Sequence, residues 1–253
     1  MEAECSGIWV RNLSFKALRN LNLSLESGSR CVLLGANPEE RETLLRILAG
    51  KHLVKHGSVK VFGKDAFGTN SNSVAYLNSE WLSNPLIQRD LLVDELIHYL
   101  GGDRYPDRRD LLLNLMNVSR HWHMHKISAS ERLRVQIVLR LLQPWQVLLI
   151  DEASLPLEQD TLQLLLEVIR WETEERGAIA IYSSTRVHGL VNWCTHFMRL
   201  EDGHVMEFHD RVSAINITSR QVSWQYKSPL MRLLDSELQH QAGDNEYKKR
   251  CRV

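Results

Sequence analysis

The stretch from Cys31 to Leu48 constrains this chain more than any other. An apolar run, Cys31-Val32-Leu33-Leu34, leads into Gly35-Ala36-Asn37-Pro38-Glu39-Glu40-Arg41-Glu42-Thr43, and apolar residues then recur at helical spacing as Leu44, Leu45, Ile47 and Leu48. That order predicts a buried parallel strand, a turn and an amphipathic helix, which is the setting of a phosphate-binding loop. Such a loop uses G-x-x-x-x-G-K-[ST]. Small residues let backbone N–H groups close on the phosphates, the lysine reaches the terminal ones, and the hydroxyl holds Mg²⁺. Here Gly35 stands in register, but Glu40 replaces the second glycine, Arg41 the lysine and Glu42 the hydroxyl. The candidate ligand-contacting residues of the turn are Gly35, Ala36, Asn37, Arg41 and Thr43.

The same residues also spell an ordinary helix start. Asn37 reads as the N-cap, Pro38 as the first helical residue and Glu40 as a capping-box acid three residues after the cap. Carboxylates in a first turn occupy the orphan N–H groups and the positive dipole end that a phosphate would use. They also repel it: like charges 4 Å apart cost on the order of 4 kcal/mol at an effective dielectric near 20, and less in salt.

Lysine plus arginine equals aspartate plus glutamate at 31 each, so no overall field draws nucleic acid or anionic lipid, and a nucleic-acid partner is not indicated. Cys5, Cys31, Cys194 and Cys251 lie far apart without C-x-x-C spacing, which argues against a zinc site and against a disulfide framework. The apolar tract from Val138 to Ile150 is broken by Arg140, Gln143, Pro144 and Gln146, so no membrane span is expected. A cytoplasmic setting follows, extending to the nucleus if the basic end Lys248-Lys249-Arg250-Cys251-Arg252 acts as an import signal.

Alternation over residues 8 to 25 predicts strands of an antiparallel edge sheet, and Gly57 to Gly63 and Val74 to Leu77 read as further strands around a polar loop at 64 to 73. Helical periodicity fills 90 to 118, split by Gly101 and Pro106, and Ser128 to Leu142 is an arginine-rich amphipathic helix ended by Pro144. Val147-Leu148-Leu149-Ile150-Asp151-Glu152 is a buried strand finishing on two acids, the form of a Walker B element whose aspartate holds Mg²⁺ and whose glutamate polarises water. A strand that simply ends at a charged surface has the same pattern. Helix 159 to 175, strand Ala178 to Ser183 and a hairpin around Glu201-Asp202-Gly203 continue an α/β alternation with a mostly parallel sheet. From about Asp210 the chain turns polar, with one amphipathic patch at Leu230 to Leu238.

These elements together resemble the nucleotide-binding domain of ABC-type ATPases over residues 8 to 210, with a helical lobe at about 90 to 142 and a polar, partly helical or disordered tail at 211 to 253. Leu48-Ala49-Gly50-Lys51-His52, Tyr76-Leu77-Asn78-Ser79-Glu80-Trp81, Trp122-His123-Met124-His125-Lys126-Ile127-Ser128 and Arg134-Val135-Gln136-Ile137 are similar to the soluble, transporter-free branch. That branch includes the ATPase associated with the carbon-catabolite-repression/Not complex in yeast and the soluble class I ABC proteins of plants. The resemblance implies ATP and Mg²⁺ as cofactors and a head-to-tail homodimer or ABC-like heterodimer, with ATP between the loop of one domain and the signature of the other. It also implies a possible place in a gene-regulatory complex.

Carried over by motif, the resemblance puts Ser128 at the signature serine, Asp151 at the Mg²⁺ site and Glu152 at the catalytic position. The departures lie on both faces. The branch signature L-S-D-G-Q is here Ile127-Ser128-Ala129-Ser130-Glu131, Pro156 replaces the aspartate after Walker B, and Thr185 replaces the switch histidine, with His188 three residues on. Losses at four linked positions imply a pseudo-ATPase acting as a scaffold or regulatory subunit. The alternatives are a weak ATPase, or the nucleotide-binding subunit of a transporter built from separate chains. Phe15 fits either an adenine-stacking remnant or a core aromatic. His121, His123 and His125 alternate as metal ligands could, but no carboxylate or cysteine stands near them in sequence; Arg132, Arg134 and Arg140 read as a solvated or partner-facing helix surface.

Overall fold

The computed structural model describes residues 6–69, 73–78, 89–151, 158–185, 187 and 189–211. Glu152, Pro156, His188 and the tail from residue 212, with its amphipathic patch and basic end, lie outside them.

Two sheets carry the fold. β1 (Gly7–Phe15), β2 (Leu18–Glu26), β4 (His56–Val61) and the two-residue β5 (Lys64–Asp65) form a four-stranded sheet in the order β2-β1-β4-β5. Its pairings are antiparallel. The antiparallel edge sheet expected from residues 8 to 25 is therefore present, as a sheet separate from the mostly parallel one. The expected loop at 64 to 73 holds β5 and a single turn, α2 (Ala66–Thr69), whose Phe67 and Gly68 are not helical. Two residues of strand are too short to show a period.

The main sheet has six strands in the order β10-β9-β3-β8-β7-β6, formed by β3 (Arg30–Gly35), β6 (Val74–Leu77), β7 (Val147–Asp151), β8 (Ile179–Ser184), β9 (His196–Glu201) and β10 (His204–Asp210). All neighbours are parallel except the β9–β10 hairpin. Parallel strands covered on both faces read as continuous apolar runs, and every residue of β7 and β8 is buried. Alternation then divides each strand between two cores. On β3, Cys31 and Leu33 face a core shared with the antiparallel sheet and with Leu44, Leu45, Ile47 and Leu48 of α1 (Pro38–Leu48). Val32 and Leu34 face a second core built with α3 (Val93–Tyr99), α4 (Pro106–Leu115), α5 (Ala129–Leu141) and α6 (Gln159–Arg176).

The helices α3, α4 and α5 form a lobe between β6 and β7. Gly101 adopts φ 78° after α3 and Pro106 occupies the first turn of α4, as their sequence positions predict. A buried ion cluster ties this lobe to α6: the Glu172 carboxylate, 1% exposed, accepts from both Arg108 of α4 and Arg176. Arg108 also donates to Leu141 O at 2.7 Å, and Arg176 to Trp145 O at 3.0 Å. The two sheets meet hairpin to hairpin. Arg19 N donates to Gly203 O at 2.8 Å, and a Cβ on Gly203 would lie 2.0 Å from Ala17 O.

Candidate functional site

Parallel register brings the carboxyl ends of β3, β8 and β7 together, where open α/β sheets bind ligands. Leu33 pairs with Ser183 and Ser183 with Asp151, so Gly35, Thr185 and Asp151 stand along one edge. Gly35 has a packing reason of its own: a Cβ there would sit 2.9 Å from Leu200 O and 3.5 Å from Arg41 Cγ.

α1 begins at Pro38, so only Ala36 and Asn37 separate the strand from the helix. In a working loop the residues at 36 to 40 would arch over phosphates; here Pro38, Glu39 and Glu40 are already helical. Asn37 is the N-cap, its Oδ1 accepting from Glu39 N at 3.0 Å. The expected capping box needs correction. Glu40, 5% exposed, does not reach back to the Asn37 backbone but accepts from the Asn37 side-chain amide at 3.2 Å. A cap bonded one residue earlier, at the second helical position, frees Nδ2 to meet the carboxylate.

The side chains at the lysine and hydroxyl positions point elsewhere. Arg41, 2% exposed, turns back beneath the loop, donating to Ser183 Oγ at 3.1 Å and to Gly35 O. Glu42 pairs along the helix with Arg46 at 2.7 Å, and Thr43 is buried. Asp151, 6% exposed, ends β7 beside them. Burial pushes the nearby Tyr76 phenol well above its usual range, with the Asp151 carboxylate adding to the effect.

A cleft of ≈ 580 Å³ opens over the turn, lined by Gly35, Asn37, Glu40 and Thr185 and by the β9–β10 hairpin. Its charge is largely acidic. Glu40, Glu201 and Asp202 line it against Arg199, whose guanidinium is held by Glu207 at 2.6 Å and by Glu201. Phe15 is not among its lining residues. That ring packs on His52, with centroids 5.3 Å apart, and beneath Lys16.

The signature segment shows the same self-sufficiency. Ser128 caps α5 in a full capping box: its Oγ accepts from Glu131 N at 3.2 Å, and Glu131 Oε2 accepts from Ser128 N at 2.8 Å. These bonds, first from the Ser128 backbone and then from its hydroxyl, hold the Glu131 carboxyl below the usual range. Ser130 donates to Glu158 Oε1 at 2.8 Å, joining α5 to the start of α6. At both helix starts, then, acidic side chains of the chain itself fill the place of an anion. The donor set at the turn does not match what Mg·triphosphate needs. Pro38 has no N–H, the cation is turned inward, and a carboxylate stands where a hydroxyl would hold the metal.

Two contacts at the site are not expected from the sequence: Ser183 as the partner of Arg41 and Glu158 as the partner of Ser130. Neither has a sequence signal, because the partners meet only through the sheet register and the helix packing. Two of the three arginines of α5 serve the lobe itself, Arg132 donating to Met124 O at 3.1 Å and Arg134 lying over the Trp122 ring, while Arg140 is exposed.

A helical lobe inserted between two parallel neighbours of a strand-turn-helix sheet, with an antiparallel sheet laid across the first helix, places the chain among P-loop proteins of the nucleotide-binding-cassette architecture. Residues 18–155, over half of the chain, match the family described as ABC transporter, and the chain belongs to that family. It is 34% identical over 244 residues to ABC transporter I family member 20 of Arabidopsis thaliana, covering 92% of this chain and 71% of that one. It is 32% identical over 223 residues to CCR4-associated factor 16 of Saccharomyces cerevisiae, covering 79% and 77%. The fold matches an ATP-binding subunit of an ABC transporter at 20% identity with a TM-score of 0.72, over 87% of this chain and 97% of that one. It also matches an ATP-binding cassette in a dimeric post-hydrolysis state with ADP and phosphate, at 17% identity with a TM-score of 0.67, over 81% and 98%. Among the described residues no helix is long and apolar enough to cross a membrane.

Proposed function

We propose that this chain is a non-catalytic member of the ABC family, a pseudo-ATPase that serves as a scaffold or regulatory subunit. One observation carries the reading: α1 starts at Pro38, inside the stretch that would cradle phosphates, with Asn37 and Glu40 already bonded at its head. The acidic cleft and the capping box at Ser128 support it from the two faces that ATP would touch. Its partner is a second ABC-like domain, of its own kind or another, as in the dimeric cassette it resembles. Its yeast relative is named a CCR4-associated factor, which supports association with a protein complex; the gene-regulatory role and the cytoplasmic or nuclear setting are part of the proposal. A weak ATPase remains the second reading, because Asp151 is kept at the end of β7.

Thermal denaturation with Mg·ATP separates the two. A ligand at 100 times its Kd adds about 2.7 kcal/mol, which raises the Tm of a chain this size by roughly 5–10 °C. The expected result is no rise at millimolar Mg·ATP. A reproducible rise that Asp151→Asn removes overturns the proposal.

A further inference from the structure

The three alternating histidines lack a carboxylate partner in sequence, but the fold supplies one. The segment before α3 runs antiparallel to the segment before α5: Met124 N donates to Leu91 O at 2.9 Å, Val93 N to Trp122 O at 2.9 Å and Asp94 N to Arg120 O at 3.0 Å, with Leu92 bridged to His123. This pairing sets Asp90 against two of the histidines. Its Oδ1 lies 2.5 Å from His123 Nδ1 and 3.2 Å from His125 Nδ1, and the three atoms all fall within 4.8 Å of one another.

We propose that Asp90, His123 and His125 form a binding site for a borderline divalent transition metal, Zn²⁺ in the first instance, which clips the two segments together. The backbone places the donors. Lys126 N donates to His123 O, which closes a turn over His123 to Lys126; it brings the His123 and His125 rings to 5.8 Å between centroids, while Met124 between them is fully buried. Arg132 on Met124 O, Lys126 N on His123 O and Arg134 over Trp122 hold the segment in position. Two imidazoles and a carboxylate are a Zn²⁺ donor set, whereas Mg²⁺ and Ca²⁺ take oxygen.

The spacing also fits. Tetrahedral Zn²⁺ with bonds of about 2.0–2.1 Å holds its ligands roughly 3.3 Å apart. Asp90 and His125 already stand at that separation, and Asp90 and His123 need to open by less than about 1 Å. In the free site His123 Nδ1–H donates to the Asp90 carboxylate; metal binding would give each imidazole's Nδ1 lone pair to the ion, with the Nδ1 proton passing through solvent to Nε2 or, from an imidazolium, released to solvent. Side-chain exposures of 68%, 36% and 33% leave an open side for water to complete the coordination. Lys126 is the nearby charge that opposes the metal. The clip would close three residues ahead of Ser128, at the root of α5.

The test uses the full chain stripped with EDTA and titrated with ZnCl₂ by calorimetry, with Co²⁺ visible absorption as a second measurement that needs no variant. Wild type and His121→Asn should bind one Zn²⁺ with the same Kd. Asp90→Asn, His123→Asn and His125→Asn should each weaken binding at least tenfold. Zn²⁺ but not Mg²⁺ should raise the wild-type Tm, and Zn²⁺ should displace the Co²⁺ band. The proposal is overturned by a wild type with neither a saturable Zn²⁺ site nor a Co²⁺ band. It is equally overturned if His121→Asn weakens binding as much as the other three.

Discussion

Replacing Arg41 by the family's lysine should weaken the protein rather than revive it. The Arg41 guanidinium, 2% exposed, donates at two points, to Ser183 Oγ on β8 and to Gly35 O at the end of β3. A lysine ammonium at the same Cα can reach one of them but not both in the fixed fork of a guanidinium. One buried charge-assisted hydrogen bond is therefore lost, at about 1.5–3 kcal/mol. For a chain this size that is a fall in Tm of roughly 3–12 °C. Arg41→Met, which gives up both bonds, should cost about twice as much. Differential scanning calorimetry of the three proteins, with and without Mg·ATP, measures both effects. An Arg41→Lys protein as stable as wild type, or one whose Tm rises with Mg·ATP, refutes the view of Arg41 as an internal strut.

Three further outcomes follow from the same contacts. Asn37→Ala removes the acceptor for Glu39 N and leaves Glu40 without its amide donor, so the urea midpoint should fall by an amount equal to about 0.5–2 kcal/mol. Glu172→Gln strips the counter-charge from Arg108 and Arg176; with Arg176 a third exposed, chemical denaturation should show a loss of roughly 2–4 kcal/mol. Burial holds the His196 imidazole below its ordinary pKa of 6.5, with Asp210 and Glu26 pulling the other way. The unfolded chain therefore binds the proton first, and stability falls as pH drops through 6.5; His196→Gln should flatten the urea midpoint between about pH 7 and 5.

What could be read from the sequence was local. The cap at Asn37, the stop at Gly101, the start at Pro106 and the buried run of β7 each depend on neighbours in the chain, and each stands where its residues indicate. The unread parts depend on register. The sequence pattern of a capping box gives Glu40 a backbone partner, while its partner in the structure is decided by which N–H the Asn37 side chain takes. Asp90 gave no sign of its relation to His123, because the two meet only across a pairing of segments that precede different helices.

The central position of β3 has a consequence for how the chain comes off the ribosome. Its two neighbours in the sheet are β8 and β9, so the strand leading into the Gly35 turn is synthesised early yet has no partner on either edge until Ile179 and His196 have been made. The hairpin contact between Ala17 and Gly203 closes later still. Pairings this distant are slow to form, and a β-strand open on both sides is an aggregation hazard while it waits. The lobe, β6 and β7 all emerge in that interval, so the nascent protein must shelter this apolar strand through most of its own translation, and a chain truncated before β8 leaves β3 without its neighbours altogether.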